Sequence, residues 1–222
     1  MKVLIRWTYF FNKKGTASFL SEWLEAESAL AIVEDLEKTG RVKAVEFEDE
    51  AGTVWTKKEL VKLLTEVEDE PQNVTVFFDG SYRKDERLAG LGVALYYTQN
   101  KKNWRIRKNA LLHQLESNNE AEYAAFYEAV KQLEELEVHH QSCVFKGDSL
   151  VVLNQLSGEW PCYEEQLNRW IDRIEEKLAK LHIRPVYTPI SRKDNQESDQ
   201  LASQAINGEE IFGKIQIEKK EL

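Results

Sequence analysis

Three extended segments follow one another in the middle of this chain, and their order constrains the fold more than any other feature. They are rich in β-branched and aromatic residues and are joined by short connections, which is typical of an antiparallel meander. The segments are NVTVFFDGSYR, AGLGVALYY and NWRIRKNALL. A long helical segment, EAEYAAFYEAVKQLEEL, comes directly after them.

Helices and strands alternate in the rest of the chain. CVFKGD and IRPVYTPI are predicted strands, and the helical segments are SLVVLNQLSG, EEQLNRWIDRIEEKLAKL and SDQLASQAI. The order β-β-β-α-β-α-α-β-α predicts an α/β fold with a mixed five-stranded sheet flanked by helices. Its later strands are entered through helical crossovers.

A smaller unit precedes this sheet. The acidic stretch EVEDEPQN, residues 66–73, contains Pro71 and has no apolar period, which indicates a linker. We therefore expect a small α+β module over residues 1–67, a linker over 68–73, the main domain over 74–208 and a C-terminal tail over 209–222. In the module the pattern predicts two strands, a helix from about Ser28, a hairpin turning near Ala51-Gly52, and a short closing helix at LVKLL.

Composition describes a globular protein that can build a core. Hydrophobic residues make up 42% of the 222 positions and charged residues 31%. The sequence contains no apolar run of about 18 residues, so no membrane span is predicted. The start, MKVLIRWTYFFNKKG, does not resemble a signal peptide. Cys143 and Cys162 are too few and too far apart for a disulfide framework or a CxxC metal site. These features predict reduced cysteines and a cytoplasmic protein.

The charge balance limits how the chain binds nucleic acid. The net charge is −9, with 30 basic and 39 acidic residues, so electrostatic attraction alone is not the expected mode of binding. Residues 1–70 hold 10 Lys and Arg against 15 Asp and Glu, net −5, which leaves net −4 for the rest.

Four acidic residues lie where predicted elements begin or end. Asp79 closes the first strand of the meander and Asp148 closes CVFKGD. Glu122 lies in the first turns of a helix whose start is marked by the capping-box pair Ser117 and Glu120. Asp199 lies just inside the last helix. Each has an ordinary alternative, namely turn chemistry, helix capping or a favourable helix-dipole position.

Taken together, the four acids predict a metal site. Active sites in α/β folds gather at the carboxyl ends of strands, and clustered carboxylates raise one another's pKa unless a cation cancels their charge. Hard oxygen ligands suit Mg²⁺ or Mn²⁺. Four carboxylates suit two such ions, a pair that promotes in-line displacement at phosphorus.

Four ordered segments also resemble the signature segments of type 1 ribonuclease H, in its compact archaeal and bacterial form. They are VTVFFDGSYR, SNNEAEYAAFYEAV, VFKGDSLVVLNQLSGEW and ISRKDNQESDQLA, and the likeness spans about residues 74–207. The resemblance implies a ribonuclease H fold and cleavage of the RNA strand of RNA–DNA hybrids. It also implies that Asp79, Glu122, Asp148 and Asp199 are the catalytic, metal-binding carboxylates.

The same resemblance implies a set of substrate contacts. Asn118 and Asn119 match positions that contact the 2′-hydroxyl groups and the minor groove, where neutral amides can tell RNA from DNA. Arg192 and Asn195 match an arginine and an asparagine of the last motif. We add Ser81, beside Asp79, and Ser117, at a helix start that can hold a phosphate.

The chain departs from the family pattern in three ways. The loop 190–198 lacks the histidine of the larger bacterial form, so Arg192 or Lys193 is expected to substitute electrostatically. The segment after Gly158 is acidic where that form carries a basic protruding helix. The N-terminal module sits where some relatives carry a hybrid-binding domain, which is expected to be basic, but here the module is acidic. We expect its partner to be a nucleic acid or a protein.

Three functions remain open from the sequence. The first is a metal-dependent endoribonuclease acting on RNA–DNA hybrids. The alternative is a catalytically weak or inactive module of the same fold that binds nucleic acid or protein. The third is a different nuclease of this fold that acts on another duplex. The four intact carboxylates favour the enzyme, and the scarcity of basic charge favours the non-catalytic module.

Overall fold

The computed structural model describes residues 1–11 and 14–218 and divides the chain into two compact units, Met1–Val67 and Glu68–Leu222. The elements of the first unit are β1 (Lys2–Phe11), β2 (Gly15–Leu20), β3 (Leu24–Glu25), α1 (Ala26–Lys38), β4 (Val42–Asp49), β5 (Val54–Trp55) and α2 (Lys57–Asp69). Those of the second are β6 (Gln72–Arg83), β7 (Leu88–Gln99), β8 (Lys102–His113), α3 (Asn118–Glu135), β9 (Ser142–Gly147), α4 (Leu150–Leu156), α5 (Glu165–Lys180), β10 (Arg184–Pro189), a short 3₁₀ helix (Arg192–Asn195), α6 (Gln196–Ile206) and β11 (Phe212–Ile217).

The first unit is an antiparallel sheet with two helices. Its strands run in the order β2-β1-β4-β5, and β3 pairs with the start of β1. Alternate residues of β1, such as Val3 and Ile5, are buried with Phe47 and with the helix residues Val33 and Leu60. The predicted small α+β domain is therefore present.

The second unit is built on a mixed sheet in the order β10-β9-β6-β7-β8-β11. β6, β7 and β8 form the predicted antiparallel meander, and β9 and β10 add parallel strands beside β6. Its core joins the inner strands to α3, α4 and α5, with Phe78, Phe126 and Phe145 among the fully buried side chains. The predicted α/β class, with a mixed sheet and flanking helices, is confirmed.

Two helices lie against opposite faces of this sheet. A Cβ on Gly80 would overlap the backbone of α3 at Ala121, whereas a Cβ on Gly92 would overlap the backbone of α6 at Ser198. Gly92 pairs with Asp79, the neighbour of Gly80. Because successive residues of a strand point to opposite faces, α3 and α6 cover different sides of β6 and β7.

Two expectations about segment boundaries were wrong. The predicted tail 209–222 includes β11, which pairs antiparallel with β8, so the sheet has six strands within the described residues rather than five. β11 is short and mostly exposed, and only Ile215 and Ile217 alternate with polar residues in it, so the local signal for a strand is weak. The predicted linker 68–73 is also largely structured, because α2 continues to Asp69 and β6 begins at Gln72.

No helix within the described part of the chain combines the length and the apolar character that crossing a membrane requires.

Candidate active site

Two neighbouring parallel strands bring the first pair of predicted acids together. Phe77 of β6 is in register with Lys146 of β9. Asp79 and Asp148 each follow two residues later, so the register places them side by side just beyond this parallel pairing. Asp148 follows the end of β9, whereas β6 continues past Asp79 to Arg83, so the expectation that Asp79 closes its strand was wrong. Asp79 is buried, and Asp148 is partly exposed in the turn after β9.

The third acid reaches the same point from α3. Glu122 is only 7% exposed, and its Oε2 accepts a hydrogen bond from the backbone N–H of Gly80 at 3.2 Å. Gly80 allows this approach, since any side chain there would overlap the backbone of α3. Carboxylate oxygens of Asp79, Glu122 and Asp148 lie within 4.8 Å of one another.

The start of this helix is fixed by side-chain capping. The Ser117 hydroxyl accepts a hydrogen bond from the Glu120 backbone N–H at 3.1 Å, as expected for an N-cap residue. The Glu120 carboxylate accepts from the backbone N–H of Glu116 at 2.7 Å, one residue before the cap. This arrangement sets the register of α3 and therefore the position of Glu122.

Asn195 holds two of the acids in place. Its Nδ2 donates to the carbonyl of Phe78 at 3.0 Å, to Asp148 Oδ1 at 3.1 Å and to Asp79 Oδ1 at 3.4 Å. Its Oδ1 accepts a hydrogen bond from the Ser198 hydroxyl. Asn195 is 1% exposed, so it faces the carboxylates from behind and not the solvent.

Asp199 lies on the same cavity but outside the tight group. It is contributed by the first turn of α6, and its Oδ1 lies 3.5 Å from the guanidinium of Arg192. The Arg192 side chain is 83% exposed. The structure thus gathers three of the four predicted carboxylates closely and puts the fourth on the wall they share.

These side chains surround a cavity of about 350 Å³. It is lined by Asp79, Gly80, Ser81, Tyr82, Asn118, Glu122, Asp148, Ser149, Arg192 and Asp199. Among these lining residues Arg192 is the only cation, against four carboxylates. The cavity is therefore strongly acidic at its floor.

Burial and mutual repulsion raise the pKa of two of the acids. Burial is the largest cause for Glu122, followed by the charges of Asp79 and Asp148, and its pKa rises to about 9. For Asp79 burial again comes first, then the charges of Asp148 and Asp199, and the pKa rises to about 7. Arg192 opposes both shifts. A group of buried oxygen ligands with so little positive charge nearby fits a hard divalent cation.

The predicted substrate contacts divide into two groups. Ser81, Asn118 and Arg192 line the cavity. Ser117, Asn119 and Asn195 are not among the lining residues: Ser117 caps α3, and Asn195 is buried. Asn118 is exposed at the helix start, where its amide is accessible to a ligand.

Besides Gly80, two lining residues were not singled out from the sequence. Tyr82 donates its hydroxyl hydrogen to the carbonyl of Leu115 at 2.9 Å, and Ser149 follows Asp148 without capping α4 through its side chain. The signal that could have found them is adjacency, because each lies within three residues of a predicted acid.

Comparison with known proteins identifies the family. Residues 77–205, which contain all four acids, match the family described as "Reverse transcriptase-like". The chain belongs to this family. A relative that matches over most of its length is the "Uncharacterized protein YpeP" of Bacillus subtilis (strain 168). The two proteins are 49% identical over 194 residues, which are 87% of this chain and 85% of that protein.

Solved structures similar to this reverse transcriptase-like protein include ribonucleases H1. The enzyme from Halobacterium salinarum NRC-1 is 25% identical, with a TM-score of 0.53, and the match covers 61% of this chain and 98% of that one. LC11-RNase H1, solved in complex with an RNA/DNA hybrid, is 24% identical with a TM-score of 0.55 and the same coverage. The predicted relationship to type 1 ribonuclease H is confirmed, and family, fold and acidic cluster together support a nuclease.

Proposed function

We propose that this protein is an endoribonuclease that hydrolyses the RNA strand of RNA–DNA hybrids with two divalent ions, Mg²⁺ or Mn²⁺. The observation that carries the proposal is the convergence of carboxylate oxygens of Asp79, Glu122 and Asp148 within 4.8 Å, just beyond the parallel pairing of β6 and β9. A structural role does not explain it, because burying carboxylates together without matching cations destabilises a fold.

The four acids divide the work of holding the ions. Asp79 and Glu122 supply buried oxygens on rigid elements, and Asp148 and Asp199 supply more exposed oxygens on the same cavity. When bound, a pair of divalent ions activates water and stabilises the leaving oxygen of an in-line displacement at phosphorus. Asn195 keeps Asp79 and Asp148 oriented through its hydrogen bonds to both. Because Asn195 is buried, this positioning role is better supported than a direct contact with the substrate.

The rim of the cavity supplies the groups that recognise the substrate. The amide of Asn118 offers a donor and an acceptor to a ribose 2′-hydroxyl in the wide minor groove of a hybrid. Ser81 offers a hydroxyl beside the carboxylates, and we place Ser117 and Asn119 next to Asn118 as further contacts at the start of α3. Arg192 lines the cavity and Lys193 does not, so Arg192 is our choice for countering phosphate charge in place of a histidine.

Cleavage of an end-labelled RNA–DNA hybrid tests this function. We expect internal cuts in the RNA strand with Mg²⁺ or Mn²⁺, and loss of activity in Asp148→Asn. Asp172→Asn makes the same chemical change at an exposed position of α5 and should leave the rate unchanged. If the unmodified protein binds the hybrid but does not cleave it at low salt with either ion, the enzyme proposal is wrong and the alternative, a non-catalytic binding module, is supported.

Substrate choice is tested separately. Asn118→Ala should reduce the preference for a hybrid over duplex DNA, because the lost amide contacts the ribose strand. Equal loss on hybrid, double-stranded RNA and double-stranded DNA would assign Asn118 to general binding and contradict its proposed part in hybrid recognition.

A further inference from the structure

Three of the four histidines of the chain lie together at the end of the sheet opposite the carboxylates. His139 and His140 lie in the turn between α3 and β9, and His182 lies in the turn between α5 and β10. Asp148 follows the other end of β9, so about 25 Å of extended chain separates it from His140 at about 3.3 Å per residue. The histidines are therefore a separate feature from the candidate active site.

The register of two parallel strands sets this grouping. Ser142 of β9 is paired with Arg184 of β10. His140 and His182 each precede their paired residue by two positions, so they occupy matching places on adjacent strands that run in the same direction. The same geometry that brings Asp79 and Asp148 together at one end of the sheet thus brings two imidazoles together at the other.

The backbone holds the two turns against each other. The N–H of His140 donates to the carbonyl of Leu181 at 3.0 Å, and the N–H of Arg184 donates to the carbonyl of Gln141 at 3.0 Å. His140 and His182 both have left-handed backbone conformations, with φ of 53° and 52°. Such conformations are uncommon for residues other than glycine, and here one occurs in each of the two turns, at His140 and at His182.

The rings are close and accessible. The centroids of His140 and His182 are 4.4 Å apart in a stacked arrangement, and those of His139 and His140 are 5.2 Å apart at 80°. All three residues are exposed. Within the described part of the chain, the ring nitrogens of these histidines form no hydrogen bonds. No hydrogen bond therefore fixes the orientation of the rings.

These spacings suit shared coordination of one ion. With metal–nitrogen distances of about 2.0–2.1 Å, the ring centroids of two imidazoles on one metal are about 4.5–5.2 Å apart. The present stacked orientation does not point the ring nitrogens of all three at one spot. Coordination by all three therefore requires rotation about the side-chain torsions, which exposed residues undergo in picoseconds to nanoseconds.

We propose that His139, His140 and His182 form a binding site for a borderline transition-metal ion, Zn²⁺, Ni²⁺ or Cu²⁺. His140 and His182 supply the pair fixed by strand register, His139 supplies a third nitrogen, and water fills the remaining positions. Imidazole favours these ions, whereas the carboxylate cluster favours Mg²⁺ or Mn²⁺. The bound ion would tie the turn before β9 to the turn before β10 and stabilise the fold, whether or not the protein is a nuclease.

Calorimetric titration of the full-length protein with NiCl₂ tests the site, with excess Mg²⁺ present to occupy the carboxylates. The variants are His140→Asn and His182→Asn, since asparagine tolerates the left-handed backbone at both positions. His113→Asn is the matched control, because His113 ends β8 and lies outside the cluster. Circular dichroism verifies that each variant is folded.

We expect one Ni²⁺ per chain, and at least about tenfold weaker binding in His140→Asn and His182→Asn, the scale on which metal sites respond to lost support. His113→Asn should bind like the unmodified protein. Ni²⁺ should also raise the melting temperature of the unmodified protein and of His113→Asn but not of the two cluster variants. Unchanged Ni²⁺ affinity in both cluster variants, or binding abolished by excess Mg²⁺, would overturn the site.

Discussion

Glu122 shows how one residue can serve a site at a cost to the fold. Its carboxyl is buried beside two other acids, which raises its pKa to about 9, whereas its ordinary value is 4.5. The folded state therefore binds a proton more tightly than the unfolded state. By linkage, the stability that this proton provides is complete below the ordinary pKa and is lost as the pH rises toward 9.

Glu122→Gln is expected to abolish hydrolysis and to stabilise the metal-free protein at pH 8–9. Glutamine keeps an oxygen that accepts from the Gly80 N–H but carries no charge to repel Asp79 and Asp148. Thermal melts in EDTA should show a melting temperature above that of the unmodified protein at high pH, with the difference shrinking as the pH falls toward 5. For a chain of this size about 1 kcal/mol corresponds to about 2–4 °C.

The control for this variant is Asp172→Asn, which removes an exposed charge on α5 and should leave both the melt and its pH dependence unchanged. A lower melting temperature for Glu122→Gln at pH 9 in EDTA would mean that Glu122 stabilises the apo fold, contrary to the raised pKa.

Asn195 is expected to matter for stability as well as for activity. Asn195→Ala leaves the buried carbonyl of Phe78 without its donor and releases Asp79 and Asp148. An unsatisfied buried polar group costs about 1–3 kcal/mol, so urea unfolding should show a loss of that order, together with a lower kcat on hybrid. The control is Asn207→Ala, at an exposed helix end. If both variants lose the same stability in urea and the same kcat, Asn195 has no special role in positioning the carboxylates.

At the scale of elements, the glycines of β7 determine how closely α6 approaches the sheet. A Cβ on Gly92 would overlap the carbonyl oxygen of Ser198, and one on Gly90 would overlap that of Ala202. α6 carries Asp199, and the 3₁₀ helix before it carries Asn195. The distance between this helix and the sheet therefore also sets the position of the acid that completes the cavity.

Gly92→Ala should displace α6 and affect activity more than a surface change would. Overpacking of this kind costs about 1–3 kcal/mol, and the shift moves Asp199 and Asn195 relative to Asp79. We expect lower stability in urea and a reduced kcat on hybrid. Gly213→Ala in β11 is the matched control, since its Cβ would meet nothing within 4 Å; a kcat for Gly92→Ala equal to that of the control would break the link between helix position and activity.

The sequence predicted the order of elements and the meeting of the acids, but not every part of the sheet. Asp79 and Asp148 were predictable as neighbours because each follows a run of strand-forming residues, and sites gather at the carboxyl ends of parallel strands. The continuation of β6 past Asp79 to Arg83 was not predicted. β11 was not, because FGKIQI is short and gains its structure from pairing with β8. The role of Asn195 was equally hidden, since burial by the 3₁₀ helix is a tertiary effect that no local pattern reports.

At the scale of the whole molecule, the described residues form two separate hydrophobic cores. The first is built around Val3, Ile5, Phe47 and Leu60, and the second around the buried faces of β6, β7, α3 and α5. All residues that line the candidate active site belong to the second unit. The first unit, residues 1–67, holds 10 Lys and Arg against 12 Asp and Glu, net −2. It has no basic excess with which to bind a polyanion by charge alone, so we propose that its partner is a protein or that it binds nucleic acid through its aromatic residues.

Separate expression of residues 1–67 and 68–222 tests this division. Because each unit buries its own core, both fragments should fold and unfold cooperatively, and the smaller one should be the less stable, as a domain of about 60 residues buries a smaller fraction of its surface. The 68–222 fragment should retain the kcat of the full chain on hybrid, since every lining residue is present; any effect of removing the first unit should appear in KM. Circular dichroism melts and steady-state cleavage measure both expectations. A 68–222 fragment that folds cooperatively but loses most of its kcat would show that the first unit supplies part of the catalytic site, contrary to the placement of all lining residues in the second.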